Sequence, residues 1–176
     1  MKKVFEKLHK GLVRRQLKVI LIGGHALQGY GIVRQTIDID WLIKENDIPE
    51  IKEMMRENGY RLIAETENFL RFHHGEEDIL DIDMLVVNDD TFASIHDEGH
   101  SIKIADETWP IPSPAHLIAL KIHAMKNNPK RQNRDIPDIV EIIRKTGDQV
   151  SDEELRRLCQ KYGAEDIYQK IKGFLK

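Results

Sequence analysis

Gly23-Gly24-His25-Ala26, then Arg34-Gln35-Thr36-Ile37-Asp38-Ile39-Asp40-Trp41-Leu42-Ile43, is the stretch whose reading decides the fold. Before it, Lys18 to Ile22 reads Lys-Val-Ile-Leu-Ile, a short buried strand stopped by the two glycines. His25 to Gln28 reads as a first helical turn that closes near Gly29 or Gly31. Ile37–Ile43 is a second strand, in which Asp38 and Asp40 stand at i and i+2 and leave the same face. Trp41 has the opposite parity and belongs to the core. Two carboxylates that close repel unless a cation or a proton intervenes. Such an oxygen-rich site suits Mg²⁺ or Mn²⁺, which keep waters and also bind substrate phosphates. The competing reading is a solvated strand end with two unrelated acids.

Outward from this stretch, apolar residues at Val4, Phe5, Leu8, Leu12 and Val13 have helical spacing. Pro49–Glu57 opens on proline and closes at Gly59, the usual helix asymmetry. Tyr60–Ala64 and Asn68–His73 are short strands, and Ile79–Val87 is the strongest strand of the chain. A short helix at Thr91–Asp97 precedes a hairpin, Ser101–Ala105 with Thr108–Ile111. From Pro114 the pattern is helical only, at 114–126, 135–146, 152–161 and 164–175. Lys126–Arg134 reads as a basic, mobile loop between two of these helices. The expected organisation is a mixed α/β core over 1–112 and a helical extension over 113–176 that packs on it as one structural unit.

The 176 residues are 40% hydrophobic and 32% charged, which fits a globular chain and excludes a disordered or collagen-like one. A formal charge of −3 gives no basic field able to hold nucleic acid by phosphate contacts alone. Cys159 is the single cysteine, so no intrachain disulfide forms and a reducing compartment fits. No apolar run approaches the roughly 20 residues that span a bilayer, and the first residues lack the apolar stretch of a signal peptide. A cytoplasmic protein with no membrane partner is the expectation.

Three features raise the Asp-x-Asp pair above a solvated strand end. Glycines just upstream let a backbone approach phosphate, and a helix start favours an anion. Asp81 and Asp83 lie in an apolar strand, where an acid is costly unless paired or metal-bound. Arg34, Lys121, Arg131 and Arg134 are cations able to meet a polyphosphate.

The chain resembles the DNA polymerase β-like nucleotidyltransferase superfamily. The likeness is carried by Gly23-Gly24, thirteen intervening residues, Asp38-Ile39-Asp40, and then Asp83 on a later strand. Within the superfamily it is similar to the small bacterial AbiEii-type nucleotidyltransferases of toxin–antitoxin systems. That closer likeness rests on Gly-Gly-His-Ala, Arg34-x-Thr36-x-Asp38-x-Asp40, and Asp83-Met84-Leu85-Val86 followed by Thr91-Phe92. It extends through Pro112-Ser113-Pro114 to Lys121 and Arg134-Asp135-x-x-Asp138, spanning about residues 20–145.

The resemblance implies a minimal nucleotidyltransferase mixed sheet flanked by helices, with two divalent ions (Mg²⁺ or Mn²⁺) and an NTP substrate. Asp38 and Asp40 would bind the metals that carry the triphosphate. Asp83 would share the catalytic metal and help activate an acceptor hydroxyl on RNA, on a tRNA end or on protein. Gly23, Gly24, His25, Arg34, Thr36 and Lys121 would serve the nucleotide, and a toxin role would bring an antitoxin partner. Many superfamily members carry serine where this chain has Gly24, so phosphate contact would fall to backbone N–H groups or to His25. Asp81 shares the parity of Asp83 and is the alternative third acid, although the residues after Asp83 match better. His25 is otherwise a partly buried capping residue. Asp135 and Asp138 open a helix as capping acids or pair with Lys121, and His96 and His100 are solvated. The alternatives to an enzyme are a non-catalytic nucleotide-binding or interaction module and a nucleic-acid-binding protein without chemistry.

Overall fold

The computed structural model describes residues 2–162 and 164–175. The chain divides into two compact units, Met1–Gly29 with Val33–Pro112, and Tyr30–Ile32 with Ser113–Lys176.

In the first unit the order is α1 (Lys2–Arg14), β1 (Ile20–Ile22), α2 (Gly23–Gln28), β2 (Asp38–Lys44), α3 (Ile48–Glu57), β3 (Tyr60–Thr66), β4 (Phe69–His74), β5 (Asp81–Val87), α4 (Asp89–Asp97), β6 (His100–Ile104) and β7 (Glu107–Ile111). Five strands form one sheet in the order β1-β2-β5-β4-β3, and β6 and β7 form a separate hairpin. The sheet is mixed: β2 and β5 run parallel, while their other pairings are antiparallel. The parallel pair is possible because α3, β3 and β4 lie between β2 and β5 in sequence and supply the long return that a parallel pairing needs.

Alternation sorts this sheet into two faces. Ile39, Trp41 and Ile43 of β2, Ile82, Met84 and Val86 of β5, and Leu70 and Phe72 of β4 are all buried. Trp41 stacks on Trp109 of β7 at 6.0 Å, and Phe5 of α1 meets Trp109 edge-on at 5.4 Å. The residues of opposite parity in β2 and β5 include Asp38, Asp40, Asp81 and Asp83. Over the first half of β2 and along β5 the strands thus turn buried apolar residues to one face and the acids to the other, while Leu42, on the parity of the acids, is itself buried.

The elements follow the expected order, and their bounds differ where side chains cap or feed a helix. The Lys126–Arg134 segment is not an open loop. Helix α5 (Pro114–Asn127) runs into it, Pro129–Arg131 is a 3₁₀ turn, and α6 (Gln132–Thr146) begins three residues earlier than expected. Asn128 makes this compact turn: it is extended before Pro129, and its side chain accepts from the Lys130 N–H at 3.2 Å. Helices α7 (Asp152–Lys161) and α8 (Glu165–Leu175) complete the second unit. Its core holds Leu117, Ile118 and Ile122 of α5, Ile139 and Ile142 of α6, Leu155 and Cys159 of α7, and Ile167 and Ile171 of α8. Ser113 and Ser151 cap α5 and α7 by accepting from backbone N–H groups three residues on. No helix among the described residues is long and apolar enough to cross a membrane.

Candidate active site

Strand register builds the site. Asp40 lies beside Asp83 in the parallel β2–β5 pair, and Asp83 lies beside Arg71 in the antiparallel β4–β5 pair. One row across three strands therefore reads Asp40, Asp83, Arg71. One step along the strands, Asp38 lies beside Asp81. Among the described residues, the group of side chains able to hold a metal is Asp38, Asp40 and Asp83, each half-buried, with ligand oxygens all within 4.8 Å of one another. Three hard carboxylate oxygen donors at that spacing fit Mg²⁺ or Mn²⁺.

Each carboxylate is positioned by a neighbour. Thr36 donates its hydroxyl to Asp38 Oδ1 at 2.9 Å and to the Asp38 carbonyl at 3.0 Å. Arg71 forks Asp83, Nε to Oδ1 at 2.6 Å and Nη2 to Oδ2 at 2.7 Å, and this bond raises the guanidinium pKa further. Asp40 lies against the Gly23 backbone: a Cβ on Gly23 would come within 2.6 Å of Asp40 Cγ. Gly23 also sits at φ +62°, in the left-handed region, so two independent constraints ask for glycine there. A Cβ at Gly24 would approach Thr36 Cβ to 2.9 Å. That contact explains the departure noted at position 24: Thr36 fills the place where a serine side chain would begin.

Asp81 is set apart from this group. His73 Nδ1 pairs with Asp81 Oδ1 at 2.7 Å, and the two form a dyad next to the acid group. Of the two candidates for third acid, Asp83 is the one clustered with Asp38 and Asp40.

The residues singled out for the nucleotide separate in the structure. Gly23 and Thr36 touch the acid group, Gly24 lies against Thr36, and Arg34 is half-buried in the segment leading into β2. His25 is only 1% exposed, lies edge-on to Phe5 at 5.3 Å, and has no hydrogen-bond partner on either ring nitrogen among the described residues. Burial pushes its pKa down, and the charge of Asp38 opposes that only in part. Lys121 is in the second unit, 5% exposed, with its ammonium 2.7 Å from Asp138 Oδ2 and 3.3 Å from Asp135 Oδ1. Asp135 also accepts from Arg131 at 2.8 Å and lies 3.5 Å from Arg134. Burial pushes the Asp135 carboxyl up, but the three cations outweigh it and hold it below the usual range. Asp135 and Asp138 are thus ion-pair partners inside a helical unit rather than capping acids.

Arg71 and His73 were not among the expected site residues. Their signal was parity: in Phe69-Leu-Arg-Phe-His the polar residues alternate with buried ones. The signal had no value until β4 was known to pair with β5.

A family described as "Uncharacterised nucleotidyltransferase" matches residues 1–174. The chain belongs to this nucleotidyltransferase family. No curated protein matches it by sequence. Among solved structures, the nucleotidyltransferase is similar to ANT(2'')-Ia in complex with adenylyl-2''-tobramycin, at 16% identity and TM-score 0.71, over 94% of this chain and 98% of that one. It is similar to the lincosamide antibiotic adenylyltransferase LnuA bound to lincomycin, at 16% identity and TM-score 0.59, over 81% of this chain and 95% of that one. It is also similar to the Megavirus polyadenylate synthase, at 16% identity and TM-score 0.58, over 82% of this chain but 31% of that one. At such identities the likeness establishes the fold, and the fold is the mixed sheet with flanking helices expected of the superfamily.

Proposed function

We propose that this nucleotidyltransferase moves a nucleoside monophosphate from an NTP to an acceptor hydroxyl at the site formed by Asp38, Asp40 and Asp83. The observation that carries this reading is the convergence of those three carboxylates, within 4.8 Å, on adjacent parallel strands of one sheet face. Divalent ions bound there supply charge neutralisation of the triphosphate and of the attacking and leaving oxygens. Asp38 and Asp40 hold the ions that carry the triphosphate, with Thr36 fixing Asp38 and the Gly23 backbone backing Asp40. Asp83 orients the acceptor hydroxyl. The acceptor oxygen forms the new bond to the α-phosphorus as the bond to the pyrophosphate oxygen breaks, and the hydroxyl proton passes to solvent. A non-catalytic module has no use for three mutually repelling carboxylates, so the complete acid set favours an enzyme.

The acceptor is proposed to be a small hydroxylated molecule. The support is the near end-to-end match in length with an aminoglycoside-adenylylating structure, against the small share of the polyadenylate synthase that this chain covers. RNA, or a tRNA end, is the second reading, favoured by the exposed Lys126 and Lys130 in a basic segment whose Arg131 and Arg134 are engaged by Asp135. Protein acceptors, the AbiEii-type grouping, the toxin role and the antitoxin partner are supported by the sequence resemblance. A reducing, cytoplasmic setting is supported by buried Cys159, whose thiol burial pushes up to about 11.

The test is transfer of label from α-labelled NTPs, with Mg²⁺ and with Mn²⁺, onto a panel of aminoglycosides and lincosamides, onto total cellular RNA and onto protein. Label on a small molecule with pyrophosphate release supports the first acceptor, and label on RNA supports the second. Neither transfer nor metal-dependent NTP binding in any arm would overturn the enzyme reading.

A further inference from the structure

We propose that Arg71 is a stand-in cation for the metal site: it holds Asp83 in place while the site is empty and is displaced from it by the divalent ion. The inference rests on the reading of Asp38, Asp40 and Asp83 as metal ligands.

The argument starts from charge. Three carboxylates whose oxygens lie within 4.8 Å carry three like charges into a half-buried place. Without a cation, such a group would splay or take up protons. Arg71 supplies one positive charge from the neighbouring strand, at the register position directly beside Asp83. It engages both Asp83 oxygens at 2.6 and 2.7 Å, in the fork geometry that matches a guanidinium to a carboxylate. Asp38, by contrast, is fixed by a neutral hydroxyl.

Two consequences follow. The fork occupies a lone pair on each Asp83 oxygen, and an ion that took up the same pairs would compete with the guanidinium for this carboxylate. And the cation is built to leave. The Arg71 side chain is 41% exposed while the Asp83 side chain is 15% exposed, so the anion stays fixed and the guanidinium has solvent to move into. A structural ion pair has the opposite character, as Lys121 shows with its side chain 6% exposed between two buried acids. Arg71 is therefore a positioning residue: it keeps Asp83 oriented, and it yields on loading.

Binding of Mn²⁺ alone, followed by the loss of the free-ion paramagnetic resonance signal, tests this without any turnover. Wild type, Arg71→Gln, Arg71→Lys and Asp40→Asn are compared, each first checked for a cooperative melting transition. Arg71→Gln should bind Mn²⁺ about two- to fivefold more tightly, the worth of a part-exposed ion pair. Its metal-free form should melt lower than wild type, and Mn²⁺ should raise its melting temperature by more. Arg71→Lys keeps the charge without the fork and should fall between the two. A folded Arg71→Gln that binds Mn²⁺ no better than wild type, or worse, overturns the inference. If Arg71→Gln does not fold, Arg71→Lys decides on the same criterion. Asp40→Asn separates this failure from that of the metal reading. Loss of Mn²⁺ binding there with no gain at position 71 sinks the Arg71 role alone. Equal Mn²⁺ binding by wild type and Asp40→Asn, or none by either, sinks both.

Discussion

Two groups of acids lie in this chain, and they are built on opposite plans. On the sheet face of the first unit, Asp38, Asp40 and Asp83 converge half-buried, with Arg71 as a partly exposed counter-charge on Asp83. In the helical unit, Asp135 and Asp138 are buried around an equally buried Lys121, with Arg131 and Arg134 closing over Asp135. The first group carries excess negative charge and remains within reach of solvent. The second sets two buried acids against three cations, of which Lys121 is buried and Arg131 and Arg134 are partly exposed. A surplus of like charge held in register is costly to a fold and useful to a bound cation. Buried acids that already have their cations are costly to break and have no negative charge left over for a metal ion. The comparison assigns chemistry to the sheet and architecture to the helices, and it can be broken by substitutions in either group.

The largest effect is expected at Asp40. Asp40→Asn keeps the shape and removes the charge, so nucleotide transfer should fall by about a thousandfold, the scale lost when a developing charge loses its stabilising partner. The melting temperature should hold or rise, because one like-charge repulsion is gone. Asp83→Asn should lose activity similarly, and Asp81→Asn should be milder because Asp81 is paired with His73 outside the acid group. A folded, fully active Asp40→Asn enzyme would break the comparison at its first term.

Lys121 is the reverse case. Lys121→Met leaves two acids buried without their shared ammonium, and removal of one partner from a buried pair costs about 3–5 kcal/mol. The urea midpoint should drop accordingly, while nucleotide affinity of the folded protein holds. Weaker nucleotide binding with unchanged stability would move Lys121 into the nucleotide site, as the sequence resemblance implied.

That divergence marks how far the sequence carries. The strands were legible because alternation fixes the face of every residue once an element is recognised, so Asp38 and Asp40 could be set opposite Trp41 from parity alone. The four helices after Pro114 were legible from the change to a helical pattern there. What could not be read was which strands are neighbours. The order β1-β2-β5-β4-β3 puts Asp83 beside Asp40 and Arg71 beside Asp83, although 43 residues separate the two acids in the chain. Local pattern carries no signal for that register. Burial of a charge is similarly hidden. Lys121 read as a cation free for phosphate because its partners lie a turn and a helix away, at Asp135 and Asp138. The double glycine was legible as a special turn, but its reason emerges only in three dimensions: Asp40 and Thr36 occupy the space of both missing side chains.

That packing gives a sharper test of the sheet site. Gly23→Ala adds a methyl group against Asp40 at a backbone conformation that disfavours it, for an expected loss of about 1–3 kcal/mol. Part of that loss belongs to Asp40 and part to φ alone. Adding Asp40→Gly removes the clash but not the strain, so the double variant should lose less than the sum of the singles. Full additivity in urea unfolding would mean that the Gly23 turn does not bear on the Asp40 side chain.

The smallest effect is expected at His25, which separates the two plans within a single residue. It lies under the acid face with the charge of Asp38 near it, yet its ring is sealed against Phe5 with no hydrogen-bond partner among the described residues. Burial lowers its pKa in the folded protein below the ordinary value of 6.5, and Asp38 only partly restores it. Above 6.5 the ring is neutral in both folded and unfolded chains and adds nothing to the pH dependence. As pH falls below 6.5, the unfolded chain takes up a proton that the folded one refuses, so stability is lost until the folded pKa is passed. Each unit of depression contributes about 1.4 kcal/mol to that loss. His25→Phe keeps an aromatic ring against Phe5 and removes the titration. The unfolding free energy of the variant minus that of wild type should therefore rise as pH drops from 7 to 5, the other seven histidines cancelling in the difference. A flat difference would mean that His25 titrates alike in both states. The ring would then be open to protonation and to a phosphate, and His25 would belong to the site rather than to the core beneath it.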